Sequence, residues 1–81
     1  MSPRLRLFAR AREVAGVGTD EIAASTLGEL LDRACAAYGP EFEAVLAHSK
    51  VWVNGQEPAG GRNTPVGSDD EVAVLPPVSG G

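Results

Sequence analysis

Three stretches of the chain alternate hydrophobic with other residues, and this alternation predicts β-strands over residues 4–9, 50–55 and 71–75. Successive side chains of a strand point to opposite faces of its sheet, so each stretch has one face for a core and one for the surface. The residues predicted to face the core are Leu5, Leu7, Ala9, Val51, Val53, Val72 and Val74. Phe8, Trp52 and Leu75 fall on the opposite face.

A helical period replaces this alternation between the first and second of these strands. Residues 10–15 predict a short helical turn, and residues 19–24 predict a weak strand antiparallel to the first one. Thr26 and Glu29 then form a capping-box pattern. The apolar stripe that follows it, at helical spacing, comprises Leu27, Leu30, Leu31, Ala34 and Tyr38. Gly39-Pro40 is expected to end this helix. A second short turn is expected over residues 41–46, and residues 56–65 predict a loop that includes at most one short edge strand.

Length and charge narrow the class of protein. Eighty-one residues make one small domain, and 43% hydrophobic residues with 22% charged ones predict a folded chain. The net charge of −4 argues against binding to nucleic acid or to an anionic membrane. No signal peptide or spanning segment is recognisable, so we expect a cytoplasmic protein. The single cysteine, Cys35, excludes an internal disulfide, and no metal site is expected.

The last six residues predict an extended tail rather than a further element. Pro76-Pro77 cannot continue a sheet ladder, and Ser79-Gly80-Gly81 has almost no side-chain volume. We therefore expect a folded domain over residues 1–75 and a tail over residues 76–81. Fully extended, that tail spans roughly 20 Å, enough to place its carboxylate in a partner's active site. The alternative is a frayed terminus.

Three segments and the order of the elements carry a resemblance. Residues 7–13 (LFARARE), 53–55 (VNG) and 69–81 (DDEVAVLPPVSGG) resemble the MoaD family of sulfur carriers, the small subunits of molybdopterin synthase. The resemblance implies an α+β fold of the β-grasp, ubiquitin-like type. Such a fold has a mixed four- to five-stranded sheet packed on one main helix, with a flexible C-terminal Gly-Gly tail.

The resemblance also implies a chemistry for Gly81. An adenylating enzyme, similar to ubiquitin-activating enzymes, would use ATP to activate the Gly81 carboxylate, and a persulfide donor would convert it to a thiocarboxylate. The thiocarboxylate would donate sulfur to the pterin precursor of the molybdenum cofactor, inside the large subunit of molybdopterin synthase. A heterotetramer with that subunit is expected. The chain itself has no recognisable nucleophile or base, so we expect it not to be catalytic alone and to bind no cofactor. The resemblance implies that it is the sulfur-donating subunit of a transferase complex.

Partner contacts are expected around the tail. In the β-grasp strand order Phe8, Trp52 and Leu75 become neighbours, which predicts one exposed apolar docking patch. Cross-strand packing is the alternative role for Trp52. Arg12 is a candidate contact with an acidic activating enzyme, with a solvated helical turn as the alternative. The tail residues expected to contact partners are Pro76, Pro77, Val78, Ser79 and Gly80.

Proteins with other functions have the same kind of C-terminal tail. β-Grasp carriers for thiazole or cysteine biosynthesis share this tail chemistry, and a ubiquitin-like modifier or interaction module belongs to a different class. The remaining reactive side chains have ordinary interpretations. Cys35 is expected to be a half-buried apolar residue, His48 a loop residue, Lys50 a surface residue, and Asp69, Asp70 and Glu71 a solvated turn.

Overall fold

The sheet has four strands, in the order β2-β1-β4-β3. The computed structural model describes residues 2–77. Its elements are β1 (Arg4–Leu7), α1 (Ala9–Ala15), β2 (Thr19–Glu21), α2 (Leu27–Tyr38), α3 (Pro40–Leu46), β3 (Lys50–Val53), a 3-10 helix (Gly61–Asn63) and β4 (Glu71–Leu75). The sheet is mixed, because β1 runs parallel to β4 and antiparallel to β2, while β3 runs antiparallel to β4.

The register of the strands confirms the predicted faces. Leu5 lies beside Val72 and Leu7 beside Val74, and all four side chains are buried. Val51 and Val53 are half-buried against the same core. Because β1 and β4 are parallel, the chain must cross from one end of the sheet to the other between them, and α2 lies on this crossover.

Helix α2 covers the core face of the sheet with the predicted stripe. Leu27, Leu30, Leu31 and Ala34 are buried, and Tyr38 is half-buried. At its start the N–H of Glu29 donates to Thr26 Oγ1 at 3.2 Å, which confirms Thr26 as the cap, while the Glu29 carboxylate accepts from the N–H of Ser25 rather than from that of Thr26. The helix ends where Gly39 takes a φ of +96°. Phe42 of α3 is fully buried, and its ring meets that of Tyr38 edge-on at 5.1 Å.

Two predictions at the ends of elements were wrong. Ala9 does not lie in β1 on the core face; it is exposed, begins α1 and has a φ of +51°. The chain leaves the sheet at Phe8 because the Phe8 carbonyl already accepts the N–H groups of Ala11 and Arg12, and Ala11 takes the buried position instead. β2 ends at Glu21 rather than at residue 24. Within residues 2–77 the 56–65 loop carries the 3-10 helix and no named strand.

The predicted Asn-Gly turn closes β3. Asn54 and Gly55 have φ values of +53° and +79°, the left-handed values that a two-residue type I′ hairpin loop requires. Val53 and Gln56 exchange backbone hydrogen bonds of 2.8 and 3.1 Å across it. The turn therefore fixes where β3 ends, and there the N–H of Asn54 donates to the Glu71 carbonyl of β4 at 2.8 Å.

Candidate functional site: the root of the C-terminal tail

The tail begins at a central strand of the sheet. β4 lies between β1 and β3, and Leu75, its last residue, is paired with Lys50. Pro76 and Pro77 follow at once and have no N–H with which to extend the ladder. Val78, Ser79, Gly80 and Gly81 lie outside the described residues. Their predicted contacts, the reacting role of Gly81 and the division into domain and tail after residue 75 stay predictions.

Six residues on the outer side of the sheet surround this point. We call this surface the tail-root face. It consists of two rows across the strands: Arg6, Ala73 and Trp52 in one row, and Phe8, Leu75 and Lys50 in the other. Phe8 lies one residue beyond β1, where its N–H donates to the Val74 carbonyl at 3.3 Å. The sheet thus brings Phe8, Trp52 and Leu75 to one face, as the alternation indicated.

The prediction that these three side chains are exposed was wrong. Each is half-buried, and among residues 2–77 the large hydrophobic side chain that counts as exposed is Val17, at 40%. The Arg6 guanidinium lies over the Phe8 ring, 5.2 Å from its centre. Cross-strand neighbours and this cation–π contact account for the partial burial. The face is therefore a shallow, partly covered apolar surface.

The charges at the tail-root face are mostly positive. Lys50 is exposed, and the Arg6 side chain is 48% exposed. Glu71, in the next row along β4, approaches Arg4 at 3.9 Å and Arg6 at 3.8 Å. These ion pairs are long and solvent-accessible, so they contribute little to stability. They leave both arginines available to a partner.

A groove lies beside the tail root, between α1 and α3. It has a volume of about 850 Å³, and its lining residues are Ala9, Arg10, Glu13, Ala44, Val45, His48, Pro76 and Pro77. Arg10 approaches Glu13 at 3.3 Å and Glu41 at 3.8 Å, which ties the two helices together at one side of it. Sequence reasoning did not find this groove. One indication of it was present in the sequence: Ala9, Arg10 and Glu13 lie in segment 7–13, which carries part of the family resemblance.

Arg12 lies apart from the groove lining. Its side chain covers the backbone of Gly18, where an added Cβ would stand 3.2 Å from Arg12 Nε. Arg12 therefore packs on the connection between α1 and β2. Its predicted contact with an activating enzyme stays a prediction.

The other reactive side chains have structural surroundings. Burial raises the pKa of the Cys35 thiol, and the nearby Glu43 and Asp32 carboxylates raise it further. Hydrogen bonds from the Asn54 amide and the Gly67 N–H, both 2.8 Å, hold the pKa of Asp70 below its ordinary value. Burial and a hydrogen bond to Asp20 raise the pKa of Tyr38.

Within residues 2–77, no cluster of three or more His, Cys, Asp or Glu side chains is suited to hold a metal ion. No helix there is both long and apolar enough to cross a membrane.

A four-stranded mixed sheet covered by one main helix, with parallel β1 and β4 at its centre, defines the ubiquitin-like β-grasp class, as predicted. The chain belongs to the ThiS family, whose model matches residues 5–81. It is 35% identical, over 96% of its length and 90% of the relative's, to the molybdopterin synthase sulfur carrier subunit of Anopheles gambiae. It is thus a sulfur carrier of the ThiS and MoaD type, homologous to the small subunit of molybdopterin synthase.

Two solved structures extend the comparison. SAMP1 from Haloferax volcanii superposes with a TM-score of 0.85 at 33% identity, with all of both chains covered. A chain from the complex of subunits 1 and 2 of the molybdopterin-converting factor of Helicobacter pylori superposes with a TM-score of 0.70 at 27% identity, again over the whole of both chains. The full name of SAMP1 is small archaeal modifier protein 1, so proteins with different names share this fold.

Proposed function

We propose that this protein is the small subunit of molybdopterin synthase and carries sulfur as a thiocarboxylate on Gly81. The observation that carries the proposal is the direct connection of central strand β4, through Pro76-Pro77, to a terminal Gly-Gly. A sheet strand gives the tail a fixed origin, and the prolines stop the ladder there. Gly80 and Gly81 carry no Cβ, which favours passage through a narrow channel.

The proposed chemistry takes place on the carboxylate of Gly81. A carboxylate is a poor acyl donor, so an adenylating enzyme first joins it to AMP from ATP and releases pyrophosphate. The terminal sulfur of a persulfide donor then attacks the carbonyl carbon and expels AMP. The product is an acyl disulfide. A second thiol attacks its donor-side sulfur, forms a disulfide with the donor and so supplies the two electrons that release Gly81 as the thiocarboxylate. The thiocarboxylate gives its sulfur to the pterin precursor, and water restores the carboxylate. Gly81 is thus a reagent, and the catalytic acids and bases belong to the partners.

The large subunit is the partner that the comparisons favour. The Helicobacter pylori neighbour is part of a complex of subunits 1 and 2, and its chain has this fold along its full length. We propose that Phe8, Leu75 and Trp52 of the tail-root face contact the large subunit while residues 76–81 enter it. Two small subunits would bind a dimeric large subunit, one at each end. ATP belongs to the activating enzyme, and no cofactor is assigned to this chain.

Intact-mass spectrometry tests the proposal. The full chain is incubated with ATP, the adenylating enzyme and persulfide donor of the same organism, and its mass is measured before and after. We expect a shift equal to the exchange of one oxygen for sulfur, located at Gly81 by fragmentation. Gly81→Ala should slow this shift strongly, because the added Cβ obstructs the channel, while its unfolding curve stays that of the wild type.

Cys35→Ser is the matched control, because Cys35 is the only thiol of the chain. This variant should acquire sulfur as the wild type does. Sulfur found on Cys35, or no shift with partners shown to be active on another carrier, would contradict the proposal.

A ubiquitin-like modifier is the second candidate, and the resemblance to SAMP1 favours it. Such a modifier would form covalent adducts with lysines of other proteins in cells, and these adducts would disappear when Gly81 is deleted. Delivery of sulfur to thiazole or cysteine synthesis gives the same mass shift, so the pterin precursor must be supplied to distinguish these acceptors.

A further inference from the structure

The cations of this acidic protein are not spread evenly over the sheet. The chain has 7 basic and 11 acidic residues. In the strands, the two rows of the tail-root face contain Arg6 and Lys50 and no carboxylate. The opposite end of the same face contains Arg4 with Glu21 and Glu71. The outer face is therefore positive where the tail leaves and mixed or negative at its far end.

The two cations stand on either side of the apolar residues. Arg6 lies on β1 and Lys50 on β3, with β4 between them. Two strand spacings and a two-residue offset put their Cα atoms roughly 12 Å apart. Ala73 and Leu75 of β4 lie between them, and Phe8 and Trp52 complete the two rows.

The two cations differ in their intramolecular contacts. Arg6 is oriented by the Phe8 ring and by Glu71, while within residues 2–77 Lys50 forms no ion pair. Within the described part of the chain the charge of Lys50 is therefore unpaired and exposed, and a partner can contact it.

We infer that the surface of the large subunit which meets the tail-root face presents carboxylates on both sides of an apolar contact, one for Arg6 and one for Lys50. This inference rests on the proposed function. It adds the chemistry of the partner surface and an orienting mechanism. The rest of the carrier is negative, so an acidic partner surface attracts the tail-root face and repels the other sides, which directs the tail towards the partner.

A nucleic acid or an anionic membrane would also attract two cations, but the observations favour a protein. Two cations around a half-buried apolar centre give a small footprint, and the net charge of −4 opposes approach to an extended polyanion. The apolar centre fits a protein interface, in which a desolvated core is surrounded by a polar rim.

The kinetics of complex formation test this inference. The full chain is mixed by stopped flow with the large subunit from the same organism at low and high salt. The variants are Lys50→Gln, Arg6→Gln and the double variant. Arg33→Gln is the control, because it removes the same charge from the exposed side of α2, where Arg33 contacts Glu29 at 3.2 Å and the Ala23 carbonyl. Every single variant has the same net charge, so a difference between them reports position.

We expect the double variant to associate about tenfold more slowly at low salt, with Lys50→Gln alone about threefold slower, and the differences to vanish near 0.5 M salt, where charges are screened. Arg33→Gln should stay within about twofold of the wild type. Because Lys50 has no ion pair in the described part of the chain, its variant tests steering without loss of a structural contact. Association rates equal to the control's would overturn the inference and leave the carrier function standing. A wild-type chain that does not bind the large subunit would overturn the proposed partner itself.

Discussion

Phe8→Glu separates docking from folding, because Phe8 performs its structural role through its backbone. The Phe8 N–H donates to the Val74 carbonyl, and the Phe8 carbonyl accepts from Ala11 and Arg12 at the start of α1. The substitution leaves these three backbone hydrogen bonds in place. It removes the ring, which is half-buried and whose centre lies 5.2 Å from the Arg6 guanidinium.

The cost to folding follows from those contacts. Full burial of a phenylalanine side chain contributes about 1.5–3 kcal/mol, so half-burial contributes roughly 0.8–1.5 kcal/mol. The cation–π contact adds about 0.5–1 kcal/mol, and an ion pair between the new carboxylate and Arg6 returns about 0.2–1 kcal/mol. The net loss is roughly 1–2 kcal/mol. A domain of this length has a free energy of unfolding of about 4–12 kcal/mol, so the variant stays folded.

The cost to docking is larger. A central aromatic anchor contributes about 2 kcal/mol or more to an interface, so Phe8→Glu should weaken binding to the large subunit at least about 30-fold. Calorimetry measures this affinity, and urea unfolding followed by the fluorescence of Trp52, the only tryptophan, measures stability. Ala59→Glu is the control, because it adds the same charge in the exposed loop after β3. A Phe8→Glu chain that unfolds, or one that binds as Ala59→Glu does, would refute the assignment of Phe8 to a docking face.

Three further predictions concern the described part of the chain. Phe42→Ala removes a fully buried ring and its edge-on contact with Tyr38, so urea unfolding should show a loss of about 3–5 kcal/mol; a loss below about 1 kcal/mol would contradict the assigned core. The folded pKa of Asp70 lies below its unfolded value. Its contribution to stability is therefore complete above the unfolded pKa of about 3.9 and is lost as pH falls through the lower, folded pKa. In NMR titrations Asn54→Gly should raise the pKa of Asp70, since the Asn54 hydrogen bond is its main cause; an unchanged pKa would exclude that cause. Iodoacetamide should alkylate Cys35 more slowly at pH 8 than a free thiol does, because its raised pKa leaves less thiolate, and urea should remove the difference; equal rates in the folded chain would contradict the described burial.

The faces of the strands were predictable because alternation is itself a geometric property of a strand. Leu5, Leu7, Val72 and Val74 point inward for the same reason that they alternate in the sequence. The end of a strand has no such signal. Ala9 continued the alternation, yet the chain had already turned into α1 through the carbonyl of Phe8.

The exposure of the tail-root face and the groove beside it were not predictable in the same way. Partial burial of Phe8 depends on where the Arg6 side chain lies, and that position is decided across the sheet surface. The groove joins residues 9–13, 44–48 and 76–77, which are brought together by the packing of α1 against α3. The periodicity within one segment gives no information about how three separate segments pack against one another.

The composition of the tail also limits how the carrier works. Of residues 78–81, Val78 alone has an apolar side chain, so the tail offers little area with which to bind any partner. Under the proposed function, both the activating enzyme and the large subunit must bind Gly81. Most of the binding free energy of each complex must then come from contacts with the surfaces at the tail root. Partners that need the same face cannot bind at once. We therefore expect sulfur loading and sulfur delivery to be separate encounters, in which the carrier leaves the first enzyme before it binds the second, and Phe8→Glu to weaken both.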